Sequence, residues 1–478
     1  MRMVNVIWFR HDLRIHDHEP LRLAHWAKEE TEAVFVRDAR MDEKVTPGLK
    51  RAGEHRERFL MESLVVLAGS LEAEGMPFTV LKGPVVKTMI DWLTERGATD
   101  VFLHEHPGFE ERRDLEEVQR ALPHIHWHVS EGHTMFRRDQ LPFSFSEFPM
   151  SFTMFRKRLE AHLRLPEKKR SFSYDSYDTV TEAEPVFLSG KESGSFGAVR
   201  GSGDHIPHAG GQGIVRGGEQ EALARLRSYV GNASRLFTYK ETRDGMFAFD
   251  DSSKLSFWLA NGSLSPKRVY RAILDMEAAN GRNESSYWLF FELLWREYFQ
   301  WLMLATDARL FTKQGLLDVA IVWHEDKALF QAWKDGETGF PLVDAAMREL
   351  KATGYMSNRA RQNAASFLTK NLGINWLWGA RYFEEQLIDY DPASNYGNWA
   401  YQAGVGTDLR ELRAFNVIGQ GIRYDPKGSY AKNWLHLPDT LPGHTVYDPV
   451  KLSAHTDWPQ PIVDLEESLE RRKQELGL

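Results

Sequence analysis

"VNVIWFRHDLRIHDH", Val4–His18, opens on a β-branched and apolar run and then turns abruptly to charge. Comparable runs recur at "AVFVRD" (33–38), "PFTVLKG" (77–83), "DVFLHE" (100–105) and "HIHWHV" (124–129). Between them lie charged, helix-periodic segments such as Arg51–Glu74 and Val85–Arg96. This rhythm predicts an α/β region with a parallel sheet and crossover helices. A dinucleotide phosphate grip would place G-x-G-x-x-G after the first strand, and "FRHDLRIHDH" stands there instead, so that turn is not one.

The chain has 478 residues, which is too many for one ordinary core, so two or three domains are expected. Its 42% hydrophobic and 27% charged content is that of a soluble globular protein. Cysteine is absent, which excludes disulfides, thiolate nucleophiles, zinc–thiolate sites and iron–sulfur clusters. A formal charge of −8 argues against indiscriminate nucleic-acid binding but leaves room for a local basic patch. With 15 tryptophans and 28 phenylalanines, an aromatic-lined interior, a planar ligand, or both are expected. The most apolar stretch, "SYWLFFELLWREYFQWLMLA", is interrupted by Glu292, Arg296 and Glu297, so no membrane span is expected. Charge also flanks the short apolar run near the start, which does not read as a signal peptide. A cytoplasmic monomer is the expectation.

Three regions follow. Residues 1–131 form the α/β domain. Residues 132–217 read as a connector, with "LPFSFSEFPMSFTMFRKRLE" followed by the Gly- and Ser-rich "SGKESGSFGAVRGSGDHIPHAGGQG". Residues 218–478 are helix-periodic nearly throughout and predict an all-α domain.

Four stretches of the helical region concentrate chemistry. In "YMSNRARQNAASFLTKNLG", Gly354 ends one helix, Ser357 or Asn358 caps the next, and Gly373 closes it. Asn358, Arg361, Gln362 and Ala365 then share a face, which is either a donor-rich wall for a flat polar molecule or a solvated surface. Glu292 and Arg296 lie at i, i+4 on an apolar helix beside Trp288 and Trp295, which predicts a buried ion pair of functional or structural kind. Ser252, Ser253, Lys254, Leu255 and Ser256 stand where a helix begins, as a phosphate cradle or as ordinary caps. In "LIDYDPASNYGNWAYQ" (387–402), Asp389-x-Asp391 fails the calcium-loop template at Ala393, and no other acid cluster lies in reach, so no metal site is expected. These aspartates are helix caps, or they accept from ligand N–H groups or from Arg361 in a bidentate pair.

Taken together, "WFRHDLRIHDHEPL", "YKETRD", "SSKLSFWLANGSLSP", "ELLWREYF", "GFPLVDAAMRELKATGYMSNRARQNAASFLTKNLGINW" and "DYDPASNYGNWAYQAGVGTD" resemble the photolyase/cryptochrome family. The resemblance runs from the first strand to about Leu437. "LPFSFSEFPMSFTMFRKRLE" and "GGEQEALARL" are most similar to the DASH-type cryptochromes, photolyases that prefer single-stranded DNA.

The resemblance implies a U-shaped FAD in the helical domain. Its phosphates would lie on Ser252–Ser256, with Tyr239 and Arg296 lining the pocket and Asp389 paired with Arg361. Asp391 would hold the ribose or flavin edge, and Asn395 would face flavin N5 with Asn358 close by. The implied activity is blue-light repair of cyclobutane pyrimidine dimers in UV-damaged single-stranded DNA by electron transfer from reduced FAD. Glu292 would stabilise the dimer's radical anion. Trp295 would contact flipped bases, and Arg243 would meet a DNA phosphate. Tyr401 and Gln362 stand where duplex-repairing photolyases carry tryptophan and methionine, which makes the lesion pocket more polar and suits single strands. Trp399, Trp376 and Trp323 match the family's electron-transfer chain. An antenna pigment, 5,10-methenyltetrahydrofolate, is implied at Glu105, although the surrounding "HEHPGFEERRD" departs from the usual pattern. Two rival activities are weighed. One is a flavin-based signalling photoreceptor, against which stand Glu292 and the short sequence after the helical pattern. The other is (6-4) photoproduct repair, whose histidine pair aligns with Asn358 and Gln362.

Overall fold

The computed structural model describes residues 4–27, 30–164, 215–317, 321–407 and 414–476. The Gly- and Ser-rich part of the expected connector lies outside them. Strands β1 (Val4–Phe9), β2 (Glu30–Asp38), β3 (Lys44–Val45), β4 (Leu49–Lys50), β5 (Phe78–Gly83), β6 (Asp100–Glu105) and β7 (His126–Glu131) precede the helical half. The main sheet runs β5-β2-β1-β6-β7 and is parallel throughout, while β3 and β4 pair as a small antiparallel ribbon. Val6 sits opposite Glu32 on one side and Val101 on the other.

Both faces of this sheet are covered, as a parallel sheet requires. Alternate residues choose their side. Val6, Trp8, Val34, Val36, Val101 and Leu103 pack with Met89 and Leu93 of α3 (Val85–Arg96) and Val118 of α4 (Phe109–Ala121). Ile7, Phe9, Ala33, Phe35 and Phe102 pack with Ala24 of α1 (Glu19–Trp26) and Leu64, Leu67 and Leu71 of α2 (Glu54–Ala73). The chain leaves β1 toward β2 and β5, then returns to β6 and β7 on the opposite side. The carboxyl ends of β1 and β6 therefore flank the crevice where doubly wound sheets bind ligands.

The second core is helical. It comprises α5 (Phe152–Leu163), α6 (Glu219–Tyr229), α7 (Ala233–Leu236), α8 (Tyr239–Thr242), α9 (Ser256–Ala260), α10 (Pro266–Asn280), α11 (Glu284–Thr306), α12 (Lys327–Asp335), α13 (Pro341–Thr353), α14 (Asn358–Ser366), α15 (Trp376–Gln386), α16 (Pro392–Ala403) and further short helices to Leu476. Local chemistry sets the ends that matter. Gly354 takes a left-handed φ of 72° after α13, the Ser357 hydroxyl accepts from Ala360 N–H, and Asp391 caps α16 with proline at its first position. Among the described residues no helix is long and apolar enough to cross a membrane.

The halves are pinned by polar contacts. Glu219 accepts from the Ile15 and His16 N–H groups, and Gly53 N–H donates to the Glu385 carbonyl at 2.7 Å. Gly262, at φ 71°, lets the backbone pass so close to His11 that a Cβ would lie 2.0 Å from its carbonyl oxygen. The fully buried Glu297 of α11 accepts from Met135 N–H (2.7 Å), Phe136 N–H (3.2 Å) and the Trp301 indole (2.9 Å), fixing the chain that leaves the sheet.

Burial pushes Glu297 up to about 7 from 4.5. The fold favours the protonated acid, so its contribution to stability is full below pH 4.5 and is lost as pH rises through about 7. Glu297→Gln, which has no proton to lose, should flatten that part of the stability–pH curve. Glu297→Ala should cost about 3 kcal/mol by orphaning buried donors. Chemical denaturation across this pH range measures both, and identical pH slopes for wild type and Glu297→Gln would contradict the first.

Candidate active site in the helical half

Arg361 and Asp389 form an ion pair between α14 and the turn before α16. Arg361 Nη2 donates to both Asp389 oxygens, at 3.0 and 2.8 Å, and Nε donates to the Met356 carbonyl at 2.9 Å. One amino group thus serves both oxygens, whereas the sequence suggested a two-pronged fork. Burial opposes the charge on Arg361, but Asp389 and Tyr355 offset it and its pKa is raised. Burial is likewise the largest influence on Arg296, lowering it against Asp391, and on Glu292, raising it against Arg243. Yet the Arg361 and Glu292 side chains keep 23% and 27% of their surface. Surface hemmed in by protein but still accessible can form the wall of a ligand site.

The rest of that wall is polar and incompletely satisfied. Asp391 accepts from Ser394 N–H at 2.6 Å and from Gln300 Nε2 at 2.9 and 3.0 Å. The other end of that amide, Gln300 Oε1, is buried and has no partner among the described residues. Asn395 donates Nδ2 to the Ala380 carbonyl at 3.0 Å, which fixes the amide and leaves Oδ1 as its free, accepting end. Asn358 at the start of α14 is exposed between buried Ser357 and half-buried Arg359, and Ser256 at the start of α9 is exposed between buried Leu255 and Phe257.

The turn Ser252–Ser256 is held from behind. Arg225 donates to the Ser253 carbonyl at 2.8 Å and to the Ser252 carbonyl at 3.0 Å. None of the N–H groups of Ser253, Lys254, Leu255 and Ser256 bonds to another described residue. Carbonyls tied back and amides left free make an anion cradle. Lys254, at φ 56°, sends its ammonium to the Tyr355 hydroxyl (3.0 Å) and is buried there, so the cradle's donors are main-chain groups. Tyr239 is buried nearby, edge-on to Tyr229.

Glu292 does not pair with Arg296, contrary to the i, i+4 expectation. Arg296 is consumed by carbonyls, donating to His133 at 2.6 Å and Leu259 at 3.3 Å. Glu292 is instead paired with Arg243, whose guanidinium lies 5.4 Å from the Trp288 ring centroid. Asp244, next in sequence, pairs with Arg359 at 2.8 Å, and Arg359 donates to Gln362 at 3.0 Å. This chain of contacts brings Glu292 and Gln362 to one rim. Trp295, one turn beyond Glu292, stacks on Phe152 at 3.6 Å between centroids and meets the edge of Tyr401 at 6.1 Å.

Of the three tryptophans in the expected relay, Trp376 begins α15, Trp399 lies on α16 and Trp323 precedes α12. The indoles of Trp376 and Trp323 donate to the same oxygen, the Lys313 carbonyl, at 3.1 and 3.2 Å, so the rings are a short step apart. Trp399 packs on α15 at Gly379, where a Cβ would lie 2.2 Å from its ring, one helical turn from Trp376. Trp399 and Trp376 are buried and Trp323 is half-buried.

Glu105 is bonded to Arg138, at 3.1 Å to each oxygen. It does not line the cavity of about 520 Å3 between the halves, which Arg10, His11, Glu111, Arg56, Tyr390 and Tyr396 do. Sequence reading missed this cavity, together with Arg225 and Gln300. The only signal was histidine recurring directly after the first and fourth strands of the sheet.

The chain matches two family models, described as DNA photolyase over residues 5–172 and as the FAD binding domain of DNA photolyase over residues 288–477. It is 40% identical to a cryptochrome DASH of Gloeobacter violaceus, covering 97% of this chain and 93% of the relative. A cryptochrome from Synechocystis sp. superposes with TM-score 0.86 at 35% identity, covering 99% of both chains. An archaeal photolyase from Sulfolobus tokodaii, solved with two FAD molecules and discussed as implying a novel light-harvesting cofactor, superposes with TM-score 0.75 at 25% identity over 99% of this chain and 100% of that one. The cavity wall fits FAD. Free main-chain amides suit a pyrophosphate, and the Asn395 amide suits a ring N–H.

Asp389→Ala leaves Arg361 enclosed without its counter-charge. Flavin bound per chain, read from the absorbance released on denaturation, should fall at least tenfold, about 1.4 kcal/mol or more. Wild-type flavin content in this variant would contradict the pair's role in the cavity wall.

Proposed function

The chain belongs to the photolyase/cryptochrome family, is most like its DASH-type members and binds FAD in its helical half; from that premise we propose that it repairs cyclobutane pyrimidine dimers in single-stranded DNA under blue light. The observation that carries the reading is Glu292, an acid whose pKa burial raises and which pairs with Arg243. When bound and reduced, FAD supplies the light-driven electron that opens the dimer ring. The protein's residues do the rest.

Burial biases Glu292 toward its protonated form, which can donate to a carbonyl oxygen of the lesion as negative charge develops there. Arg243, an alternative partner for a DNA phosphate, keeps the site electrically balanced before substrate arrives. Asn395 offers an uncharged acceptor that can hold a ring N–H without competing for its proton. Trp295 and Tyr401 supply the aromatic side of the lesion pocket, and Tyr401 and Gln362 make it more polar. A polar pocket returns less contact energy to offset unpairing, which favours strands already single. Trp399, Trp376 and Trp323 would relay reducing electrons inward from the surface. We place the antenna pigment in the 520 Å3 cavity between the halves, a volume within the usual range for small-molecule pockets, because the carboxylate of Glu105 is already paired with Arg138.

Oligonucleotides carrying a thymine dimer, illuminated with blue light and a reductant, should be restored faster as single strands than as duplexes. Equal rates would remove the strand preference, and a yellow protein that repairs neither would be a photoreceptor. Glu292→Ala should lower repair per photon roughly tenfold or more while sparing flavin content; a parallel loss of both would make Glu292 structural.

Trp376→Phe should slow photoreduction of the oxidised cofactor yet leave repair by pre-reduced protein intact. Transient absorption and the repair assay separate the two, and unchanged photoreduction would exclude the relay.

A further inference from the structure

Outside the helical cavity, the densest set of coordinating side chains lies at the carboxyl edge of the sheet. His11 follows β1, His106 follows β6, and Glu111 stands in the first turn of α4. One ligand atom from each lies within 4.8 Å of the other two. We propose that His11, His106 and Glu111 form a binding site for a divalent transition metal such as Zn2+, with its open position facing the cavity between the halves.

The spacing separates this triad from an ordinary hydrogen-bonded cluster. His11 Nε2 is 3.3 Å from one Glu111 oxygen, and His106 Nδ1 is 3.7 Å from the other. A tetrahedral ion with bonds of about 2.0–2.1 Å holds its ligand atoms about 3.3 Å apart. The second distance is too long for a hydrogen bond and exceeds the ligand spacing by only about 0.4 Å. The neighbouring triad makes the contrast. Asp12 accepts from His18 Nε2 at 2.9 Å and His104 Nδ1 at 2.8 Å through one oxygen, and from Arg10 N–H at 2.8 Å through the other. Those contacts are shorter than the ligand spacing of a tetrahedral ion, whereas the imidazole–carboxylate contacts of the first triad are not.

His106 Nδ1 accepts from Gly108 N–H at 3.0 Å, so that nitrogen carries no proton and has a lone pair to offer. A bound ion would take this lone pair and displace the weaker N–H contact. Arg10 donates to the main-chain oxygens of Glu111 and His104, and the Glu111 carboxylate is left facing the two imidazoles. Two imidazoles and one carboxylate form a borderline-soft set suited to Zn2+, Co2+ or Ni2+ rather than Mg2+ or Ca2+. His11 and Glu111 line the 520 Å3 cavity while His106 is buried behind them, so a fourth position opens inward to that space.

The test uses full-length protein carrying its flavin and no affinity tag, stripped with chelator and titrated with ZnCl2 by calorimetry. Wild type should take up one tight equivalent. His11→Ala and Glu111→Gln should each weaken it more than about tenfold, the scale of loss even for groups outside the coordination sphere. His128→Asn, which removes a half-exposed imidazole on β7 bonded to Asp100, should change nothing. Flavin content reports folding of each variant. Should the triad variants not fold, Co2+ added to wild type decides alone. Intense visible bands to the red of the flavin mark tetrahedral coordination, and their absence overturns the proposal. Lack of stoichiometric uptake by wild type, or equal weakening by His128→Asn and Glu111→Gln, would overturn it too.

Discussion

A carboxylate enclosed in a helical domain must be given a partner, and the Arg361–Asp389 pair is where this protein meets that cost. Desolvating two ions is unfavourable unless their geometry is good and the lone pairs left over are satisfied. Arg361 uses Nη2 on Asp389 and Nε on the Met356 carbonyl, so the pair is closed on its protein side. Around it the polar groups are closed on one side only. Asn395 spends its NH2 on Ala380, Gln300 spends its NH2 on Asp391, and Arg225 takes the carbonyls of the Ser252–Ser256 turn. The Gln300 oxygen and the turn's amides are left without a partner among the described residues. Water or a polar, flat, phosphorylated ligand such as FAD would complete such an arrangement.

Much of the architecture was legible because it is local. The runs at 4–9 and 100–105 coincide with β1 and β6, and Val85–Arg96 with α3, since period and length fix short buried strands and capped helices without help from tertiary structure. Ser357 and Gly354 acted as written in the sequence. The failure is equally informative. At i, i+4 on α11, Glu292 and Arg296 could have paired, but local geometry only permits a contact. Arg296 found the carbonyls of His133 and Leu259, and Glu292 found Arg243 just beyond α8. Both outcomes depend on how distant segments dock. The histidines at the sheet edge were illegible for the same reason, being assembled from two strand ends and a helix start.

The two halves divide the work by the kind of surface they can build. A doubly wound sheet offers a crevice at its carboxyl edge, filled here by imidazoles, carboxylates and arginines beside a cavity that the helical half closes with Tyr390 and Tyr396. The helical half can bury long aromatic side chains on several helices at once. It therefore buries Trp376 and Trp399, and joins Trp376 to Trp323 through one carbonyl oxygen at Lys313.

A crystal structure of the protein purified with its flavin tests the central claim most directly. The account requires the isoalloxazine ring to lie in the helical cavity with the Asn395 amide oxygen toward a ring N–H. The pyrophosphate should rest on the amides of Ser253–Ser256, and the Arg361–Asp389 pair should remain intact beside the ring. A cavity closed by side chains, or a flavin held elsewhere with these groups turned to one another, would contradict it.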